Sequence, residues 1–372
     1  MPNPSHPRAR DDEIGGRIGA RIEGRIEGRL AFLDGLRAIA AGLVMAQHYL
    51  EHVAPGTFGP ILALGPGVAG VVLFFCLSGY VIPLSVRGAI APLPFLLRRV
   101  MRIWPLYLCV VTALILLGRA GVAPFDARLA GLTPLEIAAN YALVFEYTGA
   151  PAILGVAWTL PVEAAWYLTF LLVFMIWGHA RVVAAALVVS ALLALLAIGA
   201  ILADQRLPLG RVGMIGACFI GYVYCRWHLG ALSGRAVGLV TLAFAGAMTG
   251  ALWVGFGYFS HPLVSFGSAL SGWLTGLAGF VAVAVIGRLR GHRLWGGAVP
   301  RTLGRVSFSL YLLHMPVLQL LTQVVEGALL MLCATLATLA LSVVSFHLVE
   351  RPAITLGRRI LRPAGQGKGQ AW

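Results

Sequence analysis

The chain has 372 residues, of which 59% are hydrophobic and 11% charged, and its mean hydropathy is +0.87. Several apolar runs of about 20 residues, too long for sheet strands and too many for a signal sequence, exclude an ordinary soluble domain. The formal charge of +14 sits mostly on arginines between those runs rather than on a recognition element, which favours positive-inside membrane topology over nucleic-acid binding.

In chain order, residues 1–29 are polar and rich in Gly and Arg, with a tandem RIGARIEGRIEGR at Arg17–Arg29. Glycine in every repeat opposes a stable helix, so this reads as a flexible basic tail beside anionic lipid. Leu30–Leu50 is a first membrane span carrying Asp34, Arg37 and His48. Ionisable groups at such depth are kept where they face a bundle interior or a wet cavity, which makes this span a candidate wall of an active site. A second span runs from Gly65 to Leu84 and holds Ser78, Gly79 and Tyr80; its small residues suit close helix packing. Arg87 and the run FLLRRVMRIWPLY, with Arg98, Arg99 and Arg102, form a basic, aromatic-capped inner boundary before a third span ending near Leu117.

Residues 119–157 break the pattern, and Glu136–Tyr147 within them is too short and too weakly apolar to cross, so a surface or re-entrant helix is expected there. Spans resume at about 158–177, 181–202, 211–229, 236–257, 267–287, 303–323 and 328–348. The expected fold is an all-α polytopic bundle of about ten transmembrane helices forming one domain over 30–350, with basic tails at 1–29 and 351–372. Arginines crowd one set of connections, including Arg98, Arg181, Arg226, Arg235, Arg288 and Arg290, whereas the opposite face receives only Arg119, Arg128, Arg206 and Arg211. Both termini are therefore placed in the cytoplasm. Cys76, Cys109, Cys218, Cys225 and Cys333 form no close ligand pair and read as packing residues.

The chemistry is sought in the intramembrane polar residues. His48 near the outer end of the first span and Glu163 near the outer start of the fourth, WTLPVEAAWYL, are expected at matching depth. A carboxylate there would fix the imidazole tautomer and support a general base toward a hydroxyl; two unconnected polar residues is the blander reading. Glu51 and His52 are read as outer-surface residues. Asp34 and Arg37 stand three apart, near enough for a helix ion pair, and Arg99 and Arg102 share a face whose guanidinium forks suit phosphate, or form a solvated boundary cluster. In LGRVSFSLYLLHMPVL, Tyr311 and His314 share a face, lining a reaction cavity or joining helices by a hydrogen bond. Tyr80, Trp166 and Tyr167 are candidates for a substrate passage. The dispersed histidines make no metal site.

The stretches LAFLDGLRAIAAGLVMAQHY, LSGYVI, FLLRRVMRIWPLY, WTLPVEAAWYL and LGRVSFSLYLLHMPVL, in this order over residues 30–350, resemble the membrane acyltransferase-3 family, bacterial O-acyltransferases that modify surface polysaccharides. The resemblance implies a multi-pass protein of the bacterial cytoplasmic (inner) membrane that moves an acyl group, acetyl being commonest, from cytoplasmic acyl-CoA to a hydroxyl of a carbohydrate or glycolipid acceptor outside. It implies His48 and Glu163 as catalytic residues and Arg37, Arg99 and Arg102 toward acyl-CoA; Tyr311 and His314 are added to the acyl-CoA side as our own reading of the ninth span. Acyl-CoA enters as co-substrate, with no tightly bound cofactor, and membrane lipids are the other expected partner. Ala164 and Ala165 stand where relatives often continue with another polar residue. The competing class is a polytopic transporter of a polar or carbohydrate-linked substrate, in which the same ionisable residues would line a permeation path.

Overall fold

The computed structural model describes residues 31–53, 56–86, 90–261 and 264–361. The N-terminal tail, the last residues from 362 and Arg87 lie outside the described residues. Every regular element among the described residues is helical.

Helix α1 covers 31–53. Helices α2 (Pro66–Leu84) and α3 (Pro92–Arg119) both open with proline in the first turn, where its missing N–H costs nothing. A short α4 (Pro134–Tyr141) follows, then α5 (Thr159–Trp177), α6 (Val182–Leu202), α7 (Leu209–His228), α8 (Gly234–Leu252) and α9 (Phe266–Val285). Last come α10 (Ala298–Arg305), α11 (Ser307–Leu321) and α12 (Gly327–Ser345), the last running through a π-helical turn at Phe346–Glu350 into α13 (Arg351–Ile360).

Seven stretches among the described residues are long and apolar enough to cross a membrane: Gly59–Leu84, Pro92–Arg119, Gly155–Trp177, Val182–Leu202, Gly234–Tyr258, Phe266–Val285 and Gly327–Ile360. Three further spans expected from the sequence correspond to α1, α7 and α11. Of these, α1 and α7 carry several ionisable residues, and the 15 residues of α11 make about 22 Å of helix, short of a hydrocarbon core. Large apolar side chains such as Leu168, Leu172, Leu187, Val188, Leu195 and Leu336 are exposed along α5, α6 and α12, as a lipid-facing surface requires. The protein is an all-α polytopic membrane bundle.

Helices α2 and α7 pack most closely. A Cβ on Gly79 would overlap the carbonyl of Cys218, and one on Gly221 would overlap the carbonyl of Cys76, so the two backbones approach reciprocally through glycine. Gly79 is thus a packing residue, while its neighbour Ser78 faces a cavity. All five cysteines are free; Cys76, Cys218 and Cys225 are buried, Cys333 is intermediate and Cys109 is exposed.

The break at 119–157 folds back against the bundle. Thr133 and Glu136 form a capping box at the start of α4, and buried Asn140 ties the loop together through Pro151 O and Ile153 N at 2.9 and 3.0 Å. Its end docks halfway along α3: Trp104 Nε1 donates to Tyr141 O at 3.1 Å, and Tyr107 OH donates to Asn140 O at 2.9 Å. The chain therefore enters α5 from inside the bundle, through a 3-10 turn at Gly155–Trp158. At the other end, the boundary expected at residue 350 falls within one continuous helical run, Gly327–Ile360.

Candidate active site

Two cavities lie one above the other and share Val71 of α2 and Tyr311 of α11. The inner one, about 100 Å³, is lined by Arg37, Arg99, Arg102, Glu163, Tyr167 and Ser78, among others. The outer one, about 590 Å³, has Gln47 and His48 on one wall, and Trp158, Trp273, Phe256 and Arg206 among the residues around it. Arg37 and His48 are eleven residues apart on the same helix, about 16 Å at 1.5 Å per residue, so α1 alone spans both chambers.

In the inner chamber Arg37 makes the expected ion pair with Asp34 at 3.6 Å. Arg99 lies over the rings of Phe95 and Tyr167, 5.2 and 5.6 Å from their centroids, and its NH2 donates to Ser85 Oγ at 3.2 Å. Its Nε is buried and unpartnered, and among the described residues no carboxylate stands within ion-pair distance of it. Arg102 reaches Glu350 at 3.9 Å, and Glu350, 1% exposed, accepts from Ser309 Oγ at 3.2 Å. The π-helical turn at Phe346–Glu350 delivers this carboxylate inward, joining α3, α11 and the end of α12 at arginine level. Tyr167 OH donates to Glu163 Oε1 in a short contact.

Tyr311 stands between the chambers. Its hydroxyl donates to Val156 O at 2.7 Å and meets Thr159 Oγ1 at 3.0 Å, which fixes the start of α5 against α11.

In the outer chamber His48 Nδ1 is 3.3 Å from Glu51 Oε2. Gln47 Nε2 donates to Glu51 Oε1 at 2.8 Å, and Gln47 Oε1 accepts from the Gly67 amide at 2.6 Å. His314, fully buried, stacks against His48 with ring centroids 5.4 Å apart and planes at 24°. Its Nδ1 is 3.1 Å from Leu310 O, which a protonated Nδ1 satisfies, and its Nε2 is buried without a partner.

These positions correct the sequence reading in two places, Glu163 and His314, and add a role for Glu51. Glu163 does not stand beside His48: among the described residues no hydrogen bond or ion pair joins them, and Glu163 lies with Tyr167 in the arginine chamber. The cause is the docking of the start of α5 on Tyr311, through Val156 O and Thr159 Oγ1, which leaves Glu163 one turn further on among the arginines. Glu51, its side chain 38% exposed, keeps the surface position expected of it and is also the carboxylate against His48, a contact the sequence did not suggest; His52 is exposed as expected. His314 lines neither chamber and backs His48 instead. Of the three aromatics named for a passage, Tyr167 lines the inner chamber, Trp166 packs on Phe170 and Phe219, and Tyr80 bonds to His228 at 2.8 Å. Glu350 was missed; an acidic residue closing an apolar run before Arg351–Pro352 was the available signal.

The geometry juxtaposes a cluster of arginines and a histidine-lined cavity. A family model described as an acyltransferase domain matches residues 30–347. No curated protein sequence and no solved structure matches the chain. With the family model covering most of its length, the chain belongs to the acyltransferase-3 family and is a membrane acyltransferase.

Proposed function

We propose that this membrane acyltransferase takes an acyl group, acetyl in the simplest case, from acyl-CoA entering at the cytoplasmic face and transfers it to a hydroxyl of a carbohydrate or glycolipid in the outer chamber. The observation that carries the reading is the stacking of the two cavities: arginines line one, His48 lines the other, and they meet at Val71 and Tyr311. Positive-inside arginine bias sets the arginine chamber toward the cytoplasm of a bacterial inner membrane, with both termini on that side.

Arg99 and Arg102 bind CoA phosphates, and Arg99, with a buried Nε lacking any partner, has donor capacity to give. Arg37 adds charge higher in the same chamber. The thioester passes Tyr311 and meets the acceptor at His48. His48 Nε2 takes the hydroxyl proton as the oxygen attacks the thioester carbonyl; the C–S bond breaks, and the thiolate of CoA recovers the proton from the imidazolium. The new ester stays on the acceptor and free CoA returns through the inner chamber.

Transfer of label from radiolabelled acetyl-CoA tests this, in membranes holding equal amounts of the intact chain, His48→Ala and Arg102→Ala, with lipids and glycans separated afterwards. Label should reach a glycan or glycolipid with the intact chain and be lost with His48→Ala. Equal transfer by His48→Ala would remove the base assignment. Movement of an acceptor across the membrane without acetyl-CoA consumption would replace transfer by transport.

A further inference from the structure

The acid partner of the base is a separate question, because the family resemblance points to Glu163 and the geometry points elsewhere. We infer that Glu51 is the positioning residue of His48, held in place by Gln47 and the Gly67 amide. The inference rests on the reading of His48 as the base.

Three polar contacts and one ring stack carry it. The Gly67 N–H donates to Gln47 Oε1 at 2.6 Å, Gln47 Nε2 donates to Glu51 Oε1 at 2.8 Å, and the other carboxylate oxygen, Oε2, lies 3.3 Å from His48 Nδ1. The two ends of the chain of contacts fix its direction. A backbone amide can only donate, so Gln47 must present its oxygen to Gly67 and its NH2 to Glu51. An ionised carboxylate can only accept, so Nδ1 of His48 must carry the proton. Nε2 is left with its lone pair, and the 590 Å³ chamber on whose wall His48 stands is where that lone pair is needed. On the remaining side, the ring is held by the buried His314 stack at 5.4 Å.

Residues 47, 48 and 51 lie within little more than one turn of α1, so the orientation is set locally and anchored to α2 by a single backbone amide. That anchor needs glycine: a Cβ at position 67 would meet Gln47 Oε1 at 2.7 Å and Cδ at 3.0 Å. Glu163 has a different task in this scheme. Bonded to Tyr167 in the arginine chamber, it balances guanidinium charge where the donor binds.

The test pairs a spectroscopic and a kinetic readout in full-length protein in lipid. Solid-state ¹⁵N spectra of histidine-labelled protein at neutral pH, with the His48 signal assigned by its loss in His48→Ala, report which ring nitrogen is protonated. The intact chain and Glu163→Gln should show the Nδ1–H tautomer, Glu51→Gln should retain part of it, and Glu51→Ala should move toward Nε2–H. With acetyl-CoA as donor, kcat should fall about 10- to 100-fold in Glu51→Ala, with donor KM within about twofold, because the lost contact orients the base and does not bind the donor. An unchanged tautomer and kcat in Glu51→Ala, or a tautomer switch in Glu163→Gln, would overturn the assignment. Should His48→Ala keep full kcat, the base reading fails by itself, while the tautomer result still decides whether Glu51 orients the ring.

Discussion

The two chambers are built on different principles. The inner one collects its charged groups from α1, α3 and α5, with α11 and α12 supplying Ser309 and Glu350 behind them, so its electrostatics depend on the whole bundle holding register. The outer one takes its reactive group and that group's orientation from a single turn of α1, with aromatic walls around it. A phosphate cluster needs several cations converging from different directions. A general base needs one ring at one angle, which neighbours in sequence can supply. Changes at the inner chamber should therefore alter donor binding, and stability as well where a buried counter-charge such as that of Glu350 is lost, whereas changes at the outer chamber should alter turnover.

The largest separation should come from His48→Ala: kcat falls by about 10²- to 10⁴-fold, and CoA affinity measured by calorimetry stays within about twofold. At the inner chamber, Arg99→Ala should raise donor KM by about 10- to 100-fold, the loss of charge-assisted hydrogen bonds to phosphate, with little change in thermal stability. Arg102→Ala should weaken the donor similarly and also destabilise the fold by about 3 kcal/mol, since Glu350 would be left buried without its counter-charge. Adding Glu350→Gln to Arg102→Ala should restore most of that stability without restoring KM. A thermal shift with bound CoA, compared across these variants, separates the two effects.

How far all this was legible depends on what each residue needed for its placement. Apolar runs of span length and arginines between them gave the bundle and the inner cluster, because hydrophobic length and charge cost act locally. Asp34 and Arg37, three apart on one helix, were readable for the same reason. Glu163 was misplaced because its position is fixed by non-local contacts: Asn140 tying the 119–157 segment together, and Tyr311 pinning Val156. Glu51 reads as a solvated residue beyond the end of an apolar run and is indeed partly exposed; its link to His48 and Gln47 depends on the Gly67 amide of a second helix, which the sequence does not report. Glu350 required knowing that a π-helical turn rotates it inward, which hydropathy does not report.

Smaller effects sharpen the contrast. Gly67→Ala pushes a Cβ against Gln47 and leaves every side chain of the base assembly in the sequence; transfer should drop about 5-fold, with donor KM unchanged. Tyr311→Phe removes the hydroxyl that holds Val156 O and should cost about 1 kcal/mol, read as a modest drop in melting temperature, with a two- to threefold loss of turnover measured in the same preparations.

In the proposed reaction, donor and acceptor meet from opposite faces of the membrane. The direct test uses sealed inverted vesicles, cytoplasmic face outward, holding native acceptor in the lumen and given radiolabelled acetyl-CoA outside only. The two-chamber arrangement predicts label on lumenal glycan protected from an external glycosidase, lost with His48→Ala and recovered only at raised donor concentration with Arg99→Ala. Labelling confined to externally accessible acceptor, or requiring acetyl-CoA in the lumen, would contradict it.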